Sequence, residues 1–274
     1  MFERMRESLL DYLVLKPTRN SIDCGNARRE SVVLNKNQLE FFVQENGNRI
    51  DALELLILKF PGTAGRAERS SKFPLPAMPD VNSQIWTWNP PGYGRSEGKA
   101  KLTTIAKTAL AFWRVARDQV GDDLPIWLVG NSLGCLSALY IASNNNDHRG
   151  RVGLILRNPP PLIPVVKRVA RKYPFGSRID SVANHLCDEM NACVTAPRCS
   201  SPAIFLQSEL DRLVPRYLQD EMIKTYGGDH KKIILHGLEH DGKLKSSHYE
   251  NINSGISWLR SKTTMVEAII NKNE

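Results

Sequence analysis

The sequence has no apolar run approaching the roughly 18 residues of a membrane-spanning helix, and its longest stretches are broken by charge within ten residues or so. Its opening, MFERMRESLLDYLVL, places charges where a secretory signal needs an apolar centre. A soluble, cytoplasmic protein is the expectation. Cysteine is sparse: five in 274 residues, too few for a disulfide framework, and an odd number leaves at least one thiol free. His185, Cys187, Cys193 and Cys199 gather in one region. Their wide spacing lacks the Cys-x-x-Cys knuckle of zinc sites, so free thiols and no metal are expected. There is no Gly-rich loop ending in Lys-Ser/Thr, no zinc-finger spacing and no aromatic RNA-binding signature. The excess of 37 Lys+Arg over 29 Asp+Glu, a formal charge of +8, is scattered along the chain. No nucleic-acid partner is expected from it. Internal repeats and low-complexity linkers are absent as well, which leaves a single domain over 1–274.

What the sequence does have is a rhythm. Short apolar runs start at Leu39, Ala52, Gln84, Pro125, Val152, Pro202 and Lys232; each is too short for a helix and reads as a strand. Between them lie helical periods, the clearest placing Leu102, Ile105, Ala106, Ala109, Leu110, Trp113 and Ala116 on one face. Strands apolar on both faces, alternating with helices, call for an α/β fold with a mostly parallel sheet covered on both sides. The first two runs are separated by QENGNRID, whose Asn-Gly predicts an antiparallel hairpin between them.

Residues 158–200 interrupt this rhythm and read as an inserted excursion. Within it Val166, Val169, Ala170 and Tyr173 form one helical stripe, and Lys167, Arg168, Arg171 and Lys172 form the opposite one. The basic stripe suits either a solvated face or attraction to an anionic substrate or lipid surface.

WLVGNSLGCLSAL, residues 127–139, sets Ser132 between Gly130 and Gly134, after a strand and before a run of small and apolar residues suited to a buried helix. A nucleophile on a sharp strand-to-helix turn takes strained backbone angles. Strand and helix crowd two residues to either side of it, where side chains do not fit. The turn also aims the Leu133 amide, at the positive end of the helix, toward a developing oxyanion. A serine needs a base, and the base needs an acid to hold its tautomer; on this kind of turn the chain order is Ser, acid, His. Asp211 follows the strand PAIFLQ and His240 follows KIILHG, each in a loop at a strand end. Rivals are present: Glu209 for the acid, His236 and His248 for the base. His236 reads as part of a strand and His248 as a cap or surface residue, while His148 and His230 read as solvent-facing.

With these motifs in place the chain resembles the alpha/beta-hydrolase superfamily from about Leu39 to Leu259. LKFPGTAG resembles the family's loop after the third strand, which implies that the Thr63 amide is the second oxyanion donor. WNPPGYGRSEG resembles the turn after the fourth strand in small-lid esterase, lysophospholipase and serine-aminopeptidase-like branches, through Asn89, Gly92, Tyr93, Gly94 and Ser96. Residues 158–200 then correspond to a short lid. Departures from the pattern are Pro61 for the usual histidine, Asn131 for the commoner histidine before the nucleophile, and Cys135 for a common glycine; none removes a catalytic atom. Some members carry the acid after the sixth strand, where this chain has Asn158, which cannot act as a carboxylate. A serine nucleophile argues against epoxide hydrolase and haloalkane dehalogenase chemistry, which needs a carboxylate. The implied activity is acyl transfer to water from a small ester or thioester without metal or organic cofactor; an amidase or peptidase, or a binding protein that kept the fold without its chemistry, are the alternatives.

Overall fold

A computed structural model describes residues 2–46, 52–145 and 151–264. The chain opens with helix α1 (Phe2–Val14) and a hairpin, β1 (Arg28–Leu34) and β2 (Asn37–Asn46), then runs through β3 (Leu55–Phe60), β4 (Ser83–Trp88), α2 (Leu102–Val120), β5 (Ile126–Asn131), α3 (Gly134–Asn144) and β6 (Val152–Arg157). After β6 come α4 (Leu162–Ala170) and two one-turn helices, α5 (Asp180–Ala183) and α6 (Ala192–Thr195). The chain then closes through β7 (Ala203–Ser208), α7 (Arg216–Ile223), β8 (His230–Leu235) and α8 (Ser246–Thr263). The eight strands form one sheet in the order β1-β2-β4-β3-β5-β6-β7-β8. Among the described residues only the β1–β2 and β2–β4 pairings are antiparallel; β4, β3 and β5 through β8 run parallel.

Period-two alternation distributes the core over both faces of this sheet. Leu56, Leu58 and Phe60 of β3 pack with Phe112, Leu136 and Leu139 from α2 and α3 on one side. Ile57, Trp127 and Ile204 pack with Ile252, Ile256 and Leu259 of α8 on the other. The α2 stripe is buried as its period predicts, with Leu110 only partly covered.

The hairpin expected between β2 and β3 does not form. β2 pairs with β1 and β4, while β3 pairs in parallel with β4 and β5; Gly47 and the residues to Asp51 lie outside the described set. The tight turn is two residues long and sits earlier, at Asn35 and Lys36, both left-handed (φ 49° and 66°), with Leu34 paired to Asn37. That is the backbone a two-residue hairpin requires. β1 escapes a hydrophobic reading because, as the sheet edge, it exposes Arg28, Arg29 and Val33 and buries only Leu34.

In the excursion after β6, α4 turns Leu162 and Val165 inward, with Val166 and Val169 half-buried. Tyr173, expected on the apolar stripe, stands beyond the helix and is exposed. The stripe ends with the helix at Ala170, so its period does not extend to the tyrosine.

Candidate active site

The turn between β5 and α3 has the geometry its glycines demand. Ser132 is left-handed at φ 50° and 9% exposed, with its amide donating to the Arg157 carbonyl of the neighbouring strand at 2.8 Å. A Cβ on Gly130 would stand 2.5 Å from Cys135 Cα, and one on Gly134 would stand 2.0 Å from the Phe60 carbonyl oxygen. Neither position accepts even an alanine without displacement.

Two loops at the ends of β7 and β8 bring their side chains to this serine. His240 Nε2 lies 2.9 Å from Ser132 Oγ, and His240 Nδ1 lies 2.6 Å from Asp211 Oδ2. A carboxylate only accepts, so the ring proton sits on Nδ1 and leaves Nε2 free to accept from the serine hydroxyl. Asp211 is fixed in turn: its Oδ1 accepts from the amides of Leu213 and Val214 at 2.9 and 2.8 Å, which reserves Oδ2 for the imidazole. The three residues that chain order singled out therefore form one hydrogen-bonded line.

The rivals are turned elsewhere. Glu209 is occupied by His236 Nδ1 at 3.1 Å and the Gly237 amide at 2.8 Å. His236 stands just beyond β8 and is exposed rather than part of the strand. His248 is buried, not at the surface: its Nδ1 accepts from the Lys245 amide and its Nε2 donates to the His236 carbonyl, each at 2.9 Å, so it caps α8 and ties that helix to the His240 loop. His230 is exposed at the start of β8, edge-on to Phe205 and Tyr226; His148 lies outside the described residues. Among the described residues no group of three His, Cys, Asp or Glu side chains is arranged to hold a metal ion. Cys199 is buried, Cys193 is exposed, and His185 bonds to Arg6 and to the Ser181 carbonyl.

The loop after β3 passes directly against the serine. A Cβ on Gly62 would lie 3.3 Å from Ser132 Cβ, which brings Thr63, the next residue, to the Ser132 turn. Among the described residues neither the Thr63 nor the Leu133 amide is spent on a backbone carbonyl. Pro61, Gly62, Trp88, Tyr93, Leu133 and Gly134 line a cleft of about 10 Å³ at this point. A larger cleft of about 320 Å³ is bordered by Arg4, Asp11, Lys101 and His185, away from the serine.

Three residues support this site in ways that motif spacing does not reveal. Tyr93 is buried, donates to the Thr63 carbonyl at 2.8 Å and accepts from the Lys16 amide at 3.2 Å; burial pushes its phenol up to about 12, so it remains a donor. Asn158, fully buried and left-handed (φ 51°), donates to Ser208 Oγ and to the His240 carbonyl, both at 3.0 Å, and accepts from the Ser208 amide at 2.8 Å. It braces the end of β7 against the loop that carries His240. Arg157 reaches the Gly242 carbonyl with its guanidinium and offers its own carbonyl to both Ser132 N and Cys135 Sγ.

Behind the Thr63 loop lies a buried polar cluster. Arg66 donates to Glu68 and, through Nη1, to the Thr18 and Asn20 carbonyls at 2.9 and 3.2 Å. Asn89 donates to Glu40 and Glu68 at 2.7 and 2.9 Å and accepts from the Ala67 amide. Burial alone would raise Glu68, but the hydrogen bonds from Arg66 and Asn89 prevail and hold its carboxyl below the usual range.

No protein-family model matches the sequence, and a search of curated proteins found no match. Solved structures do match. An esterase from Pyrococcus furiosus is 12% identical, with a TM-score of 0.65 over 90% of this chain and 97% of that one. Est1E from Butyrivibrio proteoclasticus, with ferulic acid bound, is 15% identical with a TM-score of 0.61 over 85% and 98% of the two chains. Mouse alpha/beta hydrolase domain-containing protein 10 is 15% identical with a TM-score of 0.63 over 87% and 100%. At such identities the likeness is one of fold.

Proposed function

We propose that this chain, which has the alpha/beta-hydrolase fold, is a serine hydrolase that cleaves a small acyl ester or thioester through an acyl-enzyme. The observation that carries the reading is the continuous line from Ser132 Oγ through both ring nitrogens of His240 to a doubly anchored Asp211. As Oγ attacks the acyl carbonyl, its proton passes to Nε2, and the Nδ1–H bond to Asp211 stabilises the imidazolium that forms. The amides of Thr63 and Leu133 receive the oxyanion; losing one such donor costs about 3–4 kcal/mol in other enzymes. Collapse of the tetrahedral intermediate returns the Nε2 proton to the leaving oxygen or sulfur. Water then repeats the sequence on the acyl-serine, giving its proton to His240 and releasing the acid.

The test is a fluorophosphonate probe, which reacts quickly only with an activated serine. Native protein should label at Ser132, Ser132→Ala should not, and Asp211→Asn and His240→Ala should fold but turn over a nitrophenyl ester about 10³-fold or more slowly. Labelling that persists in Ser132→Ala overturns the nucleophile. A folded, unlabelled native protein gives the fold to ligand or partner binding instead. A panel of esters, thioesters and amides of graded acyl length then separates the substrate classes that share this machinery.

A further inference from the structure

We propose that the segment after β6, together with the acid loop beside it, docks on the surface of an anionic lipid bilayer. Between Leu162 and Asp180 the chain carries Lys167, Arg168, Arg171, Lys172 and Arg178 against one carboxylate, Asp180, and that carboxylate is taken by Arg171 at 3.1 Å. Just beyond α4, within this cationic segment, two aromatic rings face water: Tyr173 is 68% exposed and Phe175 is 75% exposed. Phe175 is left-handed (φ 61°), an unusual conformation for a bulky residue, and the Arg178 guanidinium lies 5.0 Å from its ring centre.

The apolar exposure continues across the neighbouring loop. Val165 and Val169 of α4 pack on Val214 and Leu218, which sets the excursion beside the acid loop and α7, where Leu210, Leu213 and Tyr217 are exposed next to Arg212. Large apolar side chains in water, interleaved with cations, match the interface of a membrane. There aromatic rings settle at the headgroup level, and each nearby Lys or Arg gains from anionic lipid. Aliphatic Leu210 and Leu213 among the rings suit hydrocarbon better than stacked nucleobases. The charge selects anionic over zwitterionic lipid.

Co-sedimentation of the full chain with vesicles tests this without reference to turnover. Phosphatidylcholine vesicles are compared with vesicles in which about a third of the lipid is phosphatidylglycerol, at about 0.1 M and 1 M salt. Native protein should bind the anionic vesicles at low salt and bind phosphatidylcholine weakly. Lys167→Ala/Arg168→Ala/Lys172→Ala should weaken the anionic partition by about a hundredfold. A control with the same loss of charge elsewhere, Lys224→Ala/Lys231→Ala/Arg260→Ala, should change it by less than about threefold. Tyr173→Ser/Phe175→Ser, which keeps every charge, should lose about tenfold or more, and the loss should remain at high salt. The proposal is overturned by equal binding to both vesicle types, or by equal losses in the two triple variants, which would reduce the effect to net charge. It is equally overturned if the aromatic pair proves to drive self-association in light scattering, or if a single-stranded oligonucleotide binds at this segment more tightly than anionic vesicles do.

Discussion

Replacing Gly134 by alanine places a methyl group at the start of α3, where helix propensity alone would favour it by about 1 kcal/mol. The structure predicts the opposite sign. The new Cβ would sit 2.0 Å from the Phe60 carbonyl oxygen and 2.7 Å from that of Pro61, whereas an unstrained carbon–oxygen contact needs about 3.3 Å. Relief therefore requires the first turn of α3 and the end of β3 to separate by roughly 1.3 Å, against a core that is close-packed on both sides. Overpacking of this kind costs about 1–3 kcal/mol. Because the obstacle is backbone, the upper end applies, for a net loss of about 2 kcal/mol and a fall in Tm of about 4–8 °C. The displacement falls between the two amides assigned to the oxyanion, and a misplacement of about 1 Å can cost about a hundredfold in rate. Thermal unfolding and fluorophosphonate labelling of the folded fraction read the two effects separately. A Gly134→Ala protein that melts at or above the native temperature and labels at the native rate would refute the crowding argument.

Tyr93→Phe removes the hydroxyl between Lys16 and Thr63 while keeping the ring. It should cost about 1–2 kcal/mol in stability and lower kcat about tenfold with KM little changed, as expected for a group that holds a transition-state donor; a pure rise in KM would contradict that role. Asn158→Ala leaves the His240 carbonyl and the Ser208 amide without their buried partner, with an expected loss of about 1–3 kcal/mol by denaturant unfolding; unchanged stability and turnover would show that the brace is dispensable. Glu68→Gln should destabilise by about 3 kcal/mol near neutral pH by breaking the buried pair with Arg66. Since the folded carboxyl titrates below its ordinary value of 4.5, the native advantage is full above that pH and shrinks as pH falls through the folded value. A gap between the two proteins that widens on acidification would rule this out.

Much of this molecule is legible in its residues because local chemistry and global fold agree. Seven strands announce themselves as short apolar runs, and Gly130 and Gly134 mark the turn whose crowding excludes side chains. Ser132, Asp211 and His240, which follow β5, β7 and β8, are found as candidates by the chain order serine, acid, histidine, and the fold brings the three within hydrogen-bonding distance. What is hidden has a physical reason in each case. β1 is an edge strand with one buried side chain, so it carries little apolar signal. Asn46-Gly47 looks like a hairpin turn, yet pairing with β4 takes β2 away from β3, a long-range choice that no dipeptide encodes. Tyr93 is legible as part of the turn after β4 and Asn158 as a non-acid after β6, but the loops they brace come together only in three dimensions, over 30 and 82 residues of chain, so their bracing roles are not.

The arm that follows α1 has a consequence for how this protein tolerates handling. The Lys16 amide, the Thr18 carbonyl and the Asn20 carbonyl contact Tyr93, Gly94 and Arg66, so a stretch of chain that contributes no strand is bolted to the back of the loop bearing Thr63. Trimming to the first strand would keep every sheet partner and Ser132, Asp211 and His240, yet remove the outer half of that clamp. An expression variant that begins near Arg28 also loses Leu10, Val14 and Leu15 from the core, so it should melt at a lower temperature and leave its loop after β3 more accessible to proteases. Tags, immobilisation chemistry or crosslinkers placed on this arm would pull on the loop that carries Thr63.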